Sequence, residues 1–304
     1  MTSPLFSLVI ANYNYGHFIE DAICSVFAQD MGDLVELIIC DAGSSDNSVD
    51  IIKKYAAGLP PNTPLQDWTR QTAYSQVPQP SNRLITWWCS EKDGGQSAAF
   101  NKGFSHARGR FLTWLNADDI LTAGALKSIA RAIQRHPRCE WFIGSSVWTD
   151  AELRIHRCFC AHRFSVLRAR YGTLSVGGPS SFFTKRLLDV AGGFDESLHY
   201  KMDTDLWYRF FLKCGARYCR VRHNVFAYRQ HEASKMSGAD QHVTERALEN
   251  RRRANLETIT LSSRYGSRTG WRSKLVQLAT VSPLDHLVAA WRNSYWQGRC
   301  ANEV

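Results

Sequence analysis

The segment ITWWCSEKDGGQSAAFNKGFSHARGRFLTWLNADD, residues 85–119, contains the alternation that decides the fold. Its first apolar run predicts a strand over 84–89, and a helical pattern follows over 97–107. The second apolar run, FLTWLN, predicts a strand over 111–116. Strands that alternate with helices in this way are typical of an α/β fold with a parallel sheet.

The sequence on both sides of this segment continues the alternation. The pattern predicts strands over 6–11, 35–40 and 141–148, and helices over 17–28, 48–57 and 123–134. Together these elements predict a twisted, mostly parallel sheet flanked by helices. We place this domain at residues 1–238.

The second half of the domain is less regular. We expect a short helix over 164–170, a strand over 181–184, a helix over 185–191, an amphipathic helix over 203–214, and strands over 216–221 and 225–229.

Two segments depart from this pattern. Residues 59–83 are rich in Pro, Gln, Ser and Thr and have no period, which predicts an inserted loop with a short helix near 65–70. Residues 239–304 turn helical and basic. From 241 onward they hold ten Lys and Arg against five Asp and Glu, so we expect a basic C-terminal helical extension.

Composition excludes several classes of protein. Of 304 residues, 44% are hydrophobic and 21% charged, as in ordinary globular proteins and unlike disordered ones. No apolar run approaches the roughly 20 residues that span a bilayer, and the N-terminus lacks a signal-peptide pattern. The nine cysteines form no paired CxxC motif, which disfavours a zinc site or a disulfide framework. These features predict a cytoplasmic protein, and the net charge of +9 favours polyanionic partners.

Polar residues follow four consecutive predicted strands. They are the stretches at 12–14, 41–46, 93–96 and 116–119. Ligands of open α/β sheets bind at the carboxyl ends of strands, so we expect these residues, Asn14 and Gln96 included, to line one crevice. The alternative is that Asp, Asn and Gly serve only as turn formers here.

The phosphate chemistry of such a crevice would depend on a metal. Neither a GxxxxGK[ST] loop nor a GxGxxG motif follows a strand. Asp118 and Asp119 come directly after an apolar strand, and paired carboxylates suit a hard divalent cation, Mg²⁺ or Mn²⁺, that also binds substrate phosphates.

Six stretches together resemble the family 2 glycosyltransferases, which are inverting enzymes of the GT-A fold. The stretches are SLVIANYNYGHFIEDAICSVFAQ (7–29), ELIICDAGSSDNSVDII (36–52), the segment 85–119, GGPSSFFTKRLLDVAGGFDESL (177–198), MDTDLWYRF (202–210) and YRQHEASKMS (228–237). The resemblance covers about residues 5–237. It implies a GT-A type nucleotide-diphospho-sugar transferase fold with a C-terminal helical appendage.

The resemblance implies a donor site. Ala11, Tyr13 and Asp41 would hold the nucleoside, with the Tyr13 ring stacked on the base and the Asp41 carboxylate accepting from a base N–H. Asp93 would contact the nucleoside or sugar, and Asp119 the sugar hydroxyls.

The metal site follows from the same resemblance. Asn116-Ala117-Asp118 occupies the DxD position of the family, with Asp118 as the metal ligand and Asn116 in place of the first acid. His231 matches a position that reaches the metal or the diphosphate, and Arg229 would pair with phosphate. The asparagine removes one negative charge from the site. A second departure is Ala42, where a second acid is common.

The resemblance aligns Asp203 with the catalytic base of the family, and Asp205 is the competing candidate. An inverting transfer needs one carboxylate to take the acceptor proton while the nucleoside diphosphate leaves. The alternative is that both acids only begin a helix. Gly178 and Pro179 would lie on the acceptor side. Trp207 would either face the acceptor or pack in the core.

These residues predict a metal-dependent inverting glycosyltransferase with a nucleotide-sugar donor, UDP-sugar first and dTDP-sugar next. Its acceptor would be a carbohydrate or a lipid-linked molecule in cell-envelope or surface polysaccharide synthesis. One rival is a sugar nucleotidyltransferase, whose early Gly-rich loop is missing. The other is a non-catalytic nucleotide- or carbohydrate-binding scaffold.

The basic C-terminal helices have two interpretations. Apolar and aromatic residues such as Trp291 alternate with arginines there, which is typical of a segment at a membrane surface, here the inner face of the cytoplasmic membrane. Alternatively, the helices pack on their own domain or on a second chain in a homodimer. No nucleic-acid motif accompanies the charge, so we expect no nucleic-acid partner.

Overall fold

A computed structural model describes residues 3–56, 85–161, 163–171, 176–232, 234, 245–267 and 283–301. Within these ranges the strands are β1 (Phe6–Asn12), β2 (Val35–Asp41), β3 (Ile85–Ser90), β4 (Phe111–Asn116), β5 (Ile120–Leu121), β6 (Trp141–Thr149), β7 (Ile155–Phe159), β8 (Ser181–Thr184) and β9 (Tyr218–Arg229). The α-helices there are α1 (Ile19–Phe27), α2 (Ser48–Tyr55), α3 (Gln96–Ser105), α4 (Ala125–Arg135), α5 (Val166–Arg170), α6 (Lys185–Ala191), α7 (Met202–Tyr208), α8 (Glu245–Tyr265) and α9 (Pro283–Trp296).

The strands form one mixed sheet in the order β3-β2-β1-β4-β8-β6-β9-β5, and β7 pairs with β6. The four strands β3, β2, β1 and β4 are parallel, as the alternating sequence predicts. Strand β8 runs antiparallel to both β4 and β6, while β9 is parallel to β6. The carboxyl ends of β1 to β4, β6 and β9 therefore point to one edge.

The sheet is buried on both faces, which explains why its strands read as continuous apolar runs. Leu8 and Ile10 of β1 pack in a cluster with α1, α2 and α4. Val9, between them in sequence, packs in a second cluster with α3, α6 and α7. Successive side chains of a strand point to opposite faces, so one short run supplies both cores.

Most predicted elements are confirmed within one or two residues, and three differ. The helix predicted over 203–214 begins at Met202 and is α-helical only to Tyr208, after which Arg209–Lys213 form a π-helical turn. The two strands predicted over 216–221 and 225–229 are one strand, β9, with register shifts against β6. Strands β5 and β7 are not predicted, because two and five residues are too short for a clear period. The loop predicted over 59–83, with its helix near 65–70, lies outside the described residues.

The C-terminal extension is helical, as predicted, in α8 and α9. Helix α9 packs on β7, where Asn293 Oδ1 accepts a hydrogen bond from the Cys158 amide. Helix α8 contacts the segment around α7. Among the described residues, no helix is both long enough and apolar enough to cross a bilayer.

Candidate active site

A cleft of about 1380 Å³ opens at the carboxyl ends of the strands. The structure brings ten of the sequence-predicted site residues to its lining: Ala11, Tyr13, Asn14, Asp93, Gln96, Asn116, Asp118, Gly178, Pro179 and Asp203. They come from segments as far apart as β1 and α7. All four polar strand ends named from the sequence contribute to this one cleft.

The turn after β1 presents an aromatic ring to solvent. Tyr13 is 59% exposed, which is unusual for a tyrosine next to a buried strand. Its neighbour Asn14 has a left-handed backbone (φ 56°), and its side-chain oxygen accepts a hydrogen bond from Ser45 N at 2.8 Å. Asn14 N in turn donates to Ser44 Oγ at 2.8 Å. These bonds fix the turn so that the Tyr13 ring is available to stack on a planar group.

The carboxylate of Asp41 does not face the cleft, contrary to its predicted contact with a base. Asp41 is 1% exposed and accepts five hydrogen bonds. The donors are Asn12 Nδ2 (2.6 Å), Gly43 N (3.1 Å), Ser44 N (3.0 Å), Ser44 Oγ (2.5 Å) and Ser90 Oγ (2.6 Å). These donors account for the lone pairs of both oxygens. In this structure Asp41 shapes the loop that lines the cleft through Ala42 and Gly43.

Asn116 explains the altered first position of the DxD-like motif. Its Nδ2 donates to Asp119 Oδ2 at 2.8 Å, and its Oδ1 accepts from Gln96 Nε2 at 2.7 Å. An ionised aspartate at this position could accept the bond from Gln96 but has no N–H to donate to Asp119. Asp119 is fully buried, so its predicted contact with sugar hydroxyls is not what the structure shows. Burial and the neighbouring Asp118 charge raise the pKa of Asp119 well above its usual value.

Asp118 and His231 form the candidate metal site. Asp118 Oδ2 lies 3.1 Å from His231 Nε2, and both side chains are about nine-tenths buried. The His231 ring packs 4.4 Å from the ring of Phe18, which limits its orientation. One carboxylate and one imidazole fit a divalent cation that takes its other ligands from water and substrate phosphates. Within the described residues, no group of three or more His, Cys, Asp or Glu could enclose a metal without such help.

Arg229 lies beside this pair but does not line the cleft. It is 2% exposed, and its Nη2 donates to Asp21 Oδ2 at 2.8 Å. The guanidinium also lies 4.8 Å from the ring centre of Phe18. The structure therefore replaces the predicted phosphate contact with an ion pair that ties β9 to α1. The backbone N–H of Arg229 donates to Asp119 Oδ1 at 3.0 Å.

Asp203 is a further acidic residue that lines the cleft. It lies in the first turn of α7, and its Oδ1 accepts from Thr204 N at 2.6 Å. Burial raises the pKa of Asp203 above its ordinary value, while the Thr204 amide and the charge of Lys201 oppose the shift. A carboxylate with a raised pKa is a stronger base, as a proton acceptor requires.

Gly178 and Pro179 also line the cleft. A Cβ on Gly178 would come within 2.8 Å of Cζ2 of Trp114, so only glycine lets the backbone lie against this indole. Trp114 itself lines the cleft from β4.

Asp205 and Trp207 are not among the residues that line the cleft. Asp205, the competing candidate for the base, therefore does not face the acceptor, and Trp207 takes the second of its two predicted positions, in the core. Asp205 is fully buried and receives hydrogen bonds from Arg209, Arg264 and Tyr265. Trp207 is also fully buried, with ring centres 5.6 Å from Trp114 and 5.1 Å from Trp141. Successive helical positions point in different directions, so Asp203 faces the cleft and these two face the interior.

Several lining residues have no counterpart in the sequence analysis. They include Tyr15, Lys92, Trp148, His199, Tyr200, Tyr228, Gln230 and Asn250. Trp148, Tyr228 and Gln230 lie at the carboxyl ends of β6 and β9. Polar and aromatic residues at these two strand ends are therefore the sequence signal that could have identified them. Asn250 lies on α8, and no local pattern places that helix at the cleft.

The mixed sheet, the helices on both faces and the cleft at the strand ends define a GT-A fold. The solved structures of similar fold include TarS of S. aureus in complex with UDP-GlcNAc (TM-score 0.54, 17% identity, covering 83% of this chain and 66% of that one). They also include the mannosyltransferase PcManGT of Pyrobaculum calidifontis in complex with GDP-Man and Mn²⁺ (TM-score 0.52, 15% identity, covering 97% and 88%).

The chain belongs to glycosyl transferase family 2, whose sequence profile matches residues 7–186. An uncharacterised glycosyltransferase of Nostoc sp. is 34% identical over 128 residues, which are 42% of this chain and 32% of that protein. The chondroitin synthase of Pasteurella multocida is 25% identical over 206 residues, or 67% of this chain and 18% of the synthase. The chain thus spans less than two thirds of the length of either relative.

Proposed function

We propose that the protein is an inverting glycosyltransferase that moves a sugar from a nucleoside diphosphate, UDP-sugar as the first candidate, to a hydroxyl acceptor. One observation carries the proposal. Tyr13, Asp118 and Asp203 line a single cleft, and His231 Nε2 lies 3.1 Å from Asp118 Oδ2. They are the groups that hold a base, a diphosphate and an acceptor proton.

The donor would enter with its base against Tyr13 and its diphosphate near Asp118 and His231. A divalent cation bound there would neutralise the charge that develops on the leaving diphosphate. Lys92 also lines the cleft and adds a positive charge to it.

Asp203, which also lines the cleft, would accept the proton of the acceptor hydroxyl as the hydroxyl oxygen attacks the anomeric carbon. Attack from the face opposite the leaving group inverts the anomeric configuration in one displacement. A single base suffices for this reaction, and Asp203 lines the cleft.

Thermal unfolding with UDP, dTDP, GDP and CMP, each with and without Mn²⁺, tests the donor site first. A ligand that binds only the folded chain raises its melting temperature. We expect a Mn²⁺-dependent rise with one nucleoside diphosphate. Turnover of the matching nucleotide sugars, followed by NMR of the product anomer, then tests transfer and inversion. Binding without turnover across carbohydrate acceptors would favour a non-catalytic scaffold.

A further inference from the structure

Helix α8 holds the turn that leads into Asp203. One carboxylate on this helix, Glu257, accepts three backbone hydrogen bonds from that turn. Its Oε1 accepts from His199 N, and its Oε2 accepts from Tyr200 N and Lys201 N, each at 2.8 Å. Hydrogen bonds to an ionised acceptor are about twice as strong as those between neutral groups.

The same helix also contacts the residue two positions beyond Asp203. Arg264 Nη1 and the Tyr265 hydroxyl donate to Asp205 Oδ1 at 2.8 and 2.7 Å. Arg209 Nε binds the other oxygen of that carboxylate at 2.8 Å. Asp203 therefore lies between two points at which α8 fixes the chain.

A third contact brings α8 to the cleft itself. The Tyr200 hydroxyl donates to Asn250 Oδ1 at 2.7 Å, and both residues line the cleft beside Asp203. The turn held by Glu257 thus includes Tyr200, which lines the cleft, and leads directly into the helix that holds Asp203, the candidate base.

We propose that Glu257 is a positioning residue, which fixes the turn at 199–201 so that Asp203 and the Tyr200–Asn250 pair face the acceptor. The inference rests on the proposed transferase function and extends it to a helix from the C-terminal extension. Glu257 does not touch the reacting atoms. Its effect passes through three amides to the start of α7.

The test compares Glu257→Gln with Glu249→Gln. A glutamine amide nitrogen cannot accept a hydrogen bond, so at least one of the three backbone N–H groups loses its partner. Glu249 is a matched control because it lies on the same helix and forms an exposed ion pair with Arg253. Release of nucleoside diphosphate from UDP-, dTDP- and GDP-sugars with Mn²⁺ is followed well below the melting temperature, with water as acceptor.

We expect kcat of Glu257→Gln to fall about 10- to 100-fold, because small misplacements of a catalytic group carry that cost. The KM for the donor and the thermal shift with its nucleoside diphosphate should stay within twofold of the unsubstituted protein. Glu249→Gln should match the unsubstituted protein in all three. Unchanged kcat in Glu257→Gln, or a proportional loss of nucleotide binding, would overturn the positioning role.

A second measurement does not depend on the variant folding. Hydrogen exchange of the unsubstituted protein should show protected amides at His199, Tyr200 and Lys201, and exchange there as fast as in exposed loops would refute the contact. If the unsubstituted protein turns over no donor at all, the proposed transferase function fails instead. The exchange experiment still decides whether Glu257 holds the turn.

Discussion

His231 Nε2 lies 3.1 Å from Asp118 Oδ2, which joins the residues after β9 to those after β4 across 113 positions of sequence. The Phe18 ring, 4.4 Å away, and the Tyr15 ring, 5.7 Å away, hold the imidazole in place. A carboxylate and an imidazole at this separation can share one cation.

Asp118→Ala and His231→Ala are expected to remove the Mn²⁺-dependent part of the thermal shift with a nucleoside diphosphate. A ligand at a concentration of 100 Kd stabilises a protein by about 2.7 kcal/mol, and most of this gain should disappear. His223→Ala is the control, since that ring is hydrogen-bonded to the Ala123 carbonyl and does not line the cleft. If either variant kept the full Mn²⁺ effect, its residue would not be a ligand.

Asp203→Asn should abolish transfer without a loss of stability. Burial raises the pKa of Asp203 in the folded state, so its contribution to stability is complete at pH values below about 3.8 and is lost as pH rises through the folded pKa. An asparagine has no ionisation to oppose folding at neutral pH, and it can still accept from Thr204 N. We expect an equal or higher melting temperature at pH 7 and activity lower by about 10²- to 10⁴-fold.

The pH dependence of the unsubstituted protein gives an independent check of Asp203. A base must be ionised to act, so activity should rise with pH through the pKa of this carboxyl. Because burial raises that pKa, the acid limb should lie above the 3.8 of an ordinary aspartate. An acid limb below that value would argue against Asp203 as the base.

Asn116→Asp restores the first acid of the motif, yet we expect it to destabilise the protein. The new carboxyl would lie where Asn116 Nδ2 now donates to the buried Asp119, so Asp119 would lose this donor. Leaving a buried polar group unpaired costs about 1–3 kcal/mol. Chemical denaturation measures the loss, and Asn14→Asp, at an exposed turn, is the comparison. Unchanged stability would contradict a stabilising role for the hydrogen bond between Asn116 and Asp119.

The exposed side of α9 bears on the two interpretations of the C-terminal extension. Leu287, Trp291 and Tyr295 follow at intervals of four residues and are 68%, 62% and 44% exposed. They form a single apolar stripe, and Arg299 lies 4.3 Å from the Tyr295 ring centre. Such a surface suits the interface of an anionic membrane.

We expect the double substitution Leu287→Ser and Trp291→Ser to reduce sedimentation with vesicles that contain anionic lipid. Val190→Ser is the control, because Val190 is 63% exposed on α6. If sedimentation is unchanged and light scattering shows a smaller particle, the stripe is a contact between two copies of the chain.

The sequence predicts where the cleft lies and much of its lining, because strand ends can be located from local patterns. Asp93 follows β3, and Asn116 and Asp118 follow β4. Both strands belong to the parallel row β3-β2-β1-β4, so their carboxyl ends open onto the same cleft. The positions of Arg229 and Asp205 depend in part on partners that lie far along the chain. Arg229 pairs with Asp21, 208 positions away, and Asp205 with Arg264, 59 positions away. In the sequence, an arginine or aspartate near a strand end looks the same whether its side chain faces a ligand or an ion-pair partner.

The five hydrogen bonds to Asp41 have a consequence for how a ligand would be captured. They fix the backbone of the 41–44 loop before any ligand arrives. Ordering a flexible residue costs roughly 1–2 kcal/mol in conformational entropy, and that cost has already been met during folding. The side of the cleft at which we propose that the nucleoside binds is therefore preorganised. Its selectivity for one base over another should arise from shape and contact, with little induced fit.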